Sequence, residues 1–195
     1  MHFSSHIIIN APAEAVWDII GRQFDRIGEW ATAIPASAAV PEDVPGQPTV
    51  TAAPVAGRVC DTGIRMLPHA TEMIIAYSDS DRTLTYQATG MPAYVGVARN
   101  RWTITAVDQQ RTQAAFEAVF APRGILGRLL AGWLLVRIGR TGRHLLGDLK
   151  HYAEHGVPSP RKQAQLGELG TQPLRCDVGR AGHRPHLSTW GRCSG

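Results

Sequence analysis

His151 and His155 stand four residues apart, the spacing that puts two imidazoles on one helical face for zinc. No third ligand accompanies them, and His69 and His144 complete no signature. They fall in the last turns of a helix, where solvated histidines suit the dipole. Cys60, Cys176 and Cys193 are odd in number and none is at metal-ligand or redox spacing, so neither a disulfide framework nor a zinc site is expected, and no cofactor is implied. Glu72 and Asp61 could serve as a general acid–base pair, but nothing in the sequence brings them together, and Glu72 reads as an exposed strand residue. No Gly-x-Ser-x-Gly is present, and Gly124-Ile-Leu-Gly127 and Gly139-Arg-Thr-Gly142 lie in a helix after antiparallel strands rather than in a phosphate-binding turn. What remains is a set of aromatic residues, Trp30, Tyr77, Tyr86, Tyr94, Trp102, Phe116, Phe120 and Trp133, which would line a cavity or fill a core.

The elements that must position them are legible. Ile7 to Ile9 form a β-branched strand that runs into Pro12, whose fixed φ suits a first helical turn, with Glu14 where the dipole favours a carboxylate. Ala13, Val16, Trp17 and Ile20 follow at helical spacing and share one inward stripe. A short second helix is expected from Phe24 to Ala31, a weak strand from Ile34 to Val40 and a long connection from Pro41 to Pro54. Val55 to Cys60, Arg65 to Ser78, Thr83 to Thr89, Tyr94 to Val107 and Thr112 to Phe120 read as strands of an antiparallel meander, with Asp79-Ser-Asp81 and Asp108-Gln-Gln110 as turns. A long helix runs from about Ile125 to His155. Ile125, Leu126, Leu129, Trp133 and Val136 share one stripe of it, whereas Leu145, Leu149 and Tyr152 define another. The change of face near Gly139 to Gly142 is expected to bend the helix around the core, in preference to a membrane or partner contact by Leu130, Leu134 and Leu135.

The net charge of +4 lies wholly in the tail: residues 1–160 carry 14 basic and 14 acidic residues, and residues 161–195 carry six against two. A neutral body argues against a nucleic-acid surface. No window approaches the roughly 20 apolar residues of a membrane span, and no secretory leader pattern opens the chain, so a cytoplasmic protein is expected. One domain is expected over residues 1–156, followed by a disordered basic tail rich in Pro and Gly over residues 157–195.

The stretch His-Ile-Ile-Ile-Asn-Ala-Pro-Ala-Glu-Ala-Val-Trp-Asp-Ile-Ile at residues 6–20 is followed by Gly28-Glu-Trp30, Val55-Ala-Gly-Arg-Val-Cys60, Glu72 with Asp79 to Tyr86, and Arg101-Trp102. In this order they resemble the polyketide cyclase/dehydrase and lipid-transport branch of the START and Bet v 1-like superfamily, over about residues 3–156. The resemblance implies an α+β helix-grip fold, a curved antiparallel sheet wrapped around a long C-terminal helix, with two short helices after the first strand. It also implies a deep apolar pocket holding a small hydrophobic molecule such as a lipid, polyketide or aromatic compound. The residues expected to line such a pocket are Trp30, Tyr86, Trp102, Phe116, Phe120, Leu129 and Trp133. Trp30 leads them, because the corresponding tryptophan of aromatase/cyclases lines the cavity.

Cyclases of this kind use an arginine and tyrosine or tryptophan groups. A desolvated guanidinium would lower the energy of an enolate, and a phenol could protonate a departing oxygen. The strand that carries their arginine corresponds to Met73 to Ser78, which has none, and Leu135 occupies the place of their polar helix residue. Arg58, Arg65, Arg99 and Arg101 are the substitutes on offer. Arg99 and Arg101 have strand parity opposite Trp102; of the other two, Arg65 is the expected interior cation, and Arg65 and Tyr86 are the catalytic candidates. Binding or carriage is therefore expected in preference to cyclisation, with an interaction module of filled core as the third class.

Overall fold

The computed structural model describes residues 1–40, 50–64, 67–90 and 97–171. Strand β1 (His2–Ile9) leads through Pro12, whose backbone is still extended at φ −59° and ψ 146°, into helix α1 (Ala13–Trp17). A π-helical turn (Asp18–Arg22) and a 3-10 turn (Phe24–Glu29) follow, the latter broken at Arg26. The expected second helix is thus a tighter, irregular piece. The strands that follow are β2 (Ser37–Ala39), β3 (Gly57–Ile64), β4 (Leu67–Ser78), β5 (Thr83–Thr89), β6 (Val97–Ala106) and β7 (Thr112–Ala121). Most of the connection from Pro41, and Arg65 and Tyr94 with it, lie outside the described residues.

The sheet order is β1-β7-β6-β5-β4-β3-β2, every described pairing antiparallel. Helix α2 (Gly124–His155) packs chiefly on β1 and β7 and is helical throughout, ending at Gly156 in the left-handed conformation that favours glycine there. This is the helix-grip arrangement. Gly139 and Gly142 let the helix close on the sheet. A Cβ at Gly142 would sit 2.6 Å from the Phe3 ring, so a side chain there would force the two apart.

Trp17, fully buried, fastens α1. Its Nε1 donates to Asp79 Oδ1 at 2.7 Å in the β4–β5 turn, and its ring lies 5.3 Å from that of Tyr77. Arg22 ties the same corner together through Asp79, Asp18 and Glu14. These donors, Arg22 first, hold the Asp79 carboxyl well below the usual carboxylate range.

The expected disorder from residue 157 is corrected for its first part. Pro160–Thr171 form helix α3, and Lys162 is fully buried, its Nζ donating to the carbonyls of Ile34 at 2.8 Å and Pro35 at 3.1 Å. Ser159 Oγ donates to Asp148 Oδ1, and Asp148 in turn accepts from the Thr32 backbone N–H. The expected boundary at residue 156 therefore cuts through packed structure. Among the described residues no helix is long and apolar enough to cross a membrane.

Candidate functional site: a two-ended cup

The side-chain period of two places alternate residues of each strand on the concave face that α1 and α2 cover. Strand register then sets these residues in rows across the sheet. One row reads Leu84, Trp102, Phe116 and Ser5, and its three large members are 0%, 1% and 5% exposed. Trp102 and Phe116 have ring centroids 4.8 Å apart, and this end is filled. The next row reads Ile74, Tyr86, Asn100, Ala118 and Phe3, and the one beyond it Arg58, Glu72, Ala88, Ala98 and Phe120. Here three alanines replace aromatics, and Glu72, Ala88 and Asn100 keep partial access although they face inward. The cup is packed at one end, and the other, its recessed end, has smaller side chains and partial access.

Arg58 organises the recessed end. It is 3% exposed, and its Nε and Nη2 both lie 2.6 Å from Glu72 Oε2, while Nη1 donates to the Phe24 carbonyl at 2.6 Å. Its Cζ lies 3.9 Å from the Phe24 ring centroid and 5.2 Å from that of Tyr86. Burial is the largest influence and opposes the charged guanidinium, but Glu72, with smaller contributions from Tyr86 and Cys60, leaves the group raised on balance. Burial pushes the Tyr86 phenol up, so it stays a neutral hydroxyl. Burial likewise pushes the Cys60 thiol up to about 12, with its Sγ 3.8 Å from Glu72 Oε2. The cluster is therefore a neutralised ion pair walled by rings, with Tyr86 and its cross-strand neighbour Asn100 as uncharged polar groups on the inward face.

Arg58 is the cation found inside the cup among the described residues; Arg65, the expected one, lies outside them. Glu72 is not the exposed residue expected but Arg58's partner, with a side chain only 14% exposed. Parity could have revealed both, since Arg58 shares a face with buried Cys60, and Glu72 with Ala70 and Ile74. Arg99 and Arg101 are exposed as their parity requires.

Trp30, Tyr86, Trp102, Phe116 and Phe120 all lie in one buried cluster. Leu129 and Trp133 do not join it: they are 77% and 55% exposed. Their stripe lies on the side of α2 away from the sheet, because Gly142, Leu145 and Leu149 fall on the opposite face of the same helix. His151 and His155 stack on each other at 4.4 Å near the end of α2.

A separate, solvent-open cleft of about 620 Å³ lies outside the cup, with Asp25, Arg26, Glu29, Ser37, Tyr152 and Leu166 on its walls. Arg26 there is already engaged by Glu29 at 2.7 Å.

A family model described as polyketide cyclase/dehydrase and lipid transport matches residues 1–154. No curated protein matches the sequence. Among solved structures, the fold is shared with a START superfamily protein from Mycobacterium smegmatis, at 13% identity and a TM-score of 0.62, covering 80% of this chain and 99% of that one. It is also shared with the Zhui aromatase/cyclase from a Streptomyces species, at 14% identity and a TM-score of 0.60, covering 82% and 99%. The protein Ara h 8.0201 aligns at 12% identity and a TM-score of 0.56, covering 78% and 97%. At these identities the likeness is one of fold.

Proposed function

Since the chain belongs to the polyketide cyclase/dehydrase and lipid transport family, we propose that it binds or carries a small hydrophobic molecule in the recessed end of the cup. The observation that carries this reading is the pair of inner rows in which Ala88, Ala98 and Ala118 stand beside Tyr86 and Phe120, with Glu72, Ala88 and Asn100 still partly accessible. Apolar walls supply affinity by area, and the Tyr86 hydroxyl and Asn100 amide orient a carbonyl or hydroxyl of the ligand. Catalysis of the cyclase kind is disfavoured by the state of Arg58. Its charge is matched by Glu72 before any substrate arrives, so it has little left to lend to a developing enolate.

Ala88→Phe tests this reading with a hydrophobic fluorescent probe. If the recess is ligand space, the ring occupies it, probe affinity falls at least tenfold, and the melting temperature stays near that of the wild type. A filled interior would instead be overpacked, costing about 1–3 kcal/mol of stability, with any probe binding unchanged; that result would overturn the proposal.

A further inference from the structure

The first half of α2 carries a surface that the cup does not use. Ile125, Leu129, Trp133 and Val136 are 80%, 77%, 55% and 62% exposed, and at 100° per residue they fall within about 80° of one another. Arg123, Arg128, Arg137, Arg140 and Arg143 occupy the same stretch, and no acidic residue occurs between Glu117 and Asp148. Around the helix, Arg128 and Arg143 lie at one margin of the apolar stripe, while Arg140 and Arg137 lie within it and at its other margin. Arg137 Cζ sits 5.2 Å from the Trp133 ring centroid. A tryptophan with aliphatic neighbours, edged by arginines on a helix lying across the protein surface, has the composition of an interfacial helix. We propose that this face of α2 docks on an anionic phospholipid surface, the side chains of Leu129 and Trp133 entering the headgroup boundary and the arginines meeting lipid phosphates.

Charge complementarity selects this occupant. A second copy of the same stripe would bring ten arginines together with no acid on the face to offset them. A nucleic acid would satisfy the arginines but leave four large apolar side chains against water or phosphate. An anionic lipid surface offers both a negative layer and an apolar one. Only Pro122 and Arg123 separate the end of β7 from the start of α2, which sets the stripe at the Ala98–Phe120 end of the sheet, the recessed end of the cup. The docking does not depend on what the cup holds.

The test is co-sedimentation of the full chain with phosphatidylcholine vesicles, with and without phosphatidylserine, at low and high salt. Wild type is expected to bind the phosphatidylserine vesicles selectively and to lose affinity as salt rises. Arg137→Gln with Arg140→Gln is expected to lose about fivefold per arginine, roughly 25-fold together. Trp133→Ser is expected to lose about tenfold from the lost apolar burial. These exposed positions leave the thermal melt unchanged, and Ala88→Phe leaves vesicle binding unchanged, so failure here is separable from failure of the ligand proposal. Absence of vesicle binding would overturn the proposal. So would equal binding by wild type and Trp133→Ser, which would mean that the apolar stripe stays out of the lipid. Dimerisation that Trp133→Ser abolishes, without vesicle binding, would assign the face to a second copy.

Discussion

Glu72→Gln removes one charge from the recessed end and leaves the shape of the side chain nearly unchanged. Arg58 would then be a cation 3% exposed, held by the Phe24 carbonyl and two aromatic faces but by no counter-charge. Breaking a buried pair in this way costs about 3–5 kcal/mol. The lower end applies, because the Glu72 side chain is 14% exposed and water can partly replace it. A loss of about 3 kcal/mol lowers the melting temperature of a domain this size by about 6–12 °C. It moves a urea midpoint by about 1.5 M at a slope near 2 kcal/mol/M. Replacing both partners, Arg58→Met with Glu72→Leu, removes the uncompensated charge and should recover most of that loss, to within about 1 kcal/mol of wild type. The assay is urea denaturation followed by far-UV circular dichroism on the wild type, Glu72→Gln and the double variant. A Glu72→Gln midpoint equal to wild type would refute the pair as an internal strut. A double variant as unstable as Glu72→Gln would refute charge as the cause and assign the loss to packing.

Two further predictions concern the rim and the C-terminal helix. Asp79 has a carboxyl held below its ordinary 3.8 by Arg22, Trp17 and Tyr77, so its contribution is complete above that value and is lost as pH falls below it; Asp79→Asn should flatten the acid limb of a stability-against-pH curve between about pH 4 and 2. Truncation after Gly156 should lower the melting temperature, because it removes the Lys162 bonds to Ile34 and Pro35 and the Ser159 bond to Asp148.

The local signals that succeeded were those whose cause is local. Pro12 opens α1, Trp17 and Ile20 face inward, and Asp79 to Asp81 turn the chain, because φ restriction, helical spacing and turn chemistry act within a few residues. The Arg58–Glu72 pair was hidden, because 14 residues of chain separate its members and only the β3–β4 register makes them opposite. Helix α3 carries its own start signal, Ser159 followed by Pro160. Tail composition outweighed that signal, and the burial of Lys162 depends on carbonyls of Ile34 and Pro35 far away in sequence. The stripe of Leu129 and Trp133 was assigned to the interior because periodicity reports that an apolar face exists, not which of two such faces meets the sheet. Only Gly139 and Gly142, closing on Phe3, decide it.

Native mass spectrometry of the full chain, purified gently from its own host, tests the ligand-carrying cup most directly. The folded charge states should carry an adduct of one small hydrophobic molecule in the wild type and lose it in Ala88→Phe. Bare protein alone in both samples, with Ala88→Phe melting lower as an overpacked core does, would contradict the account.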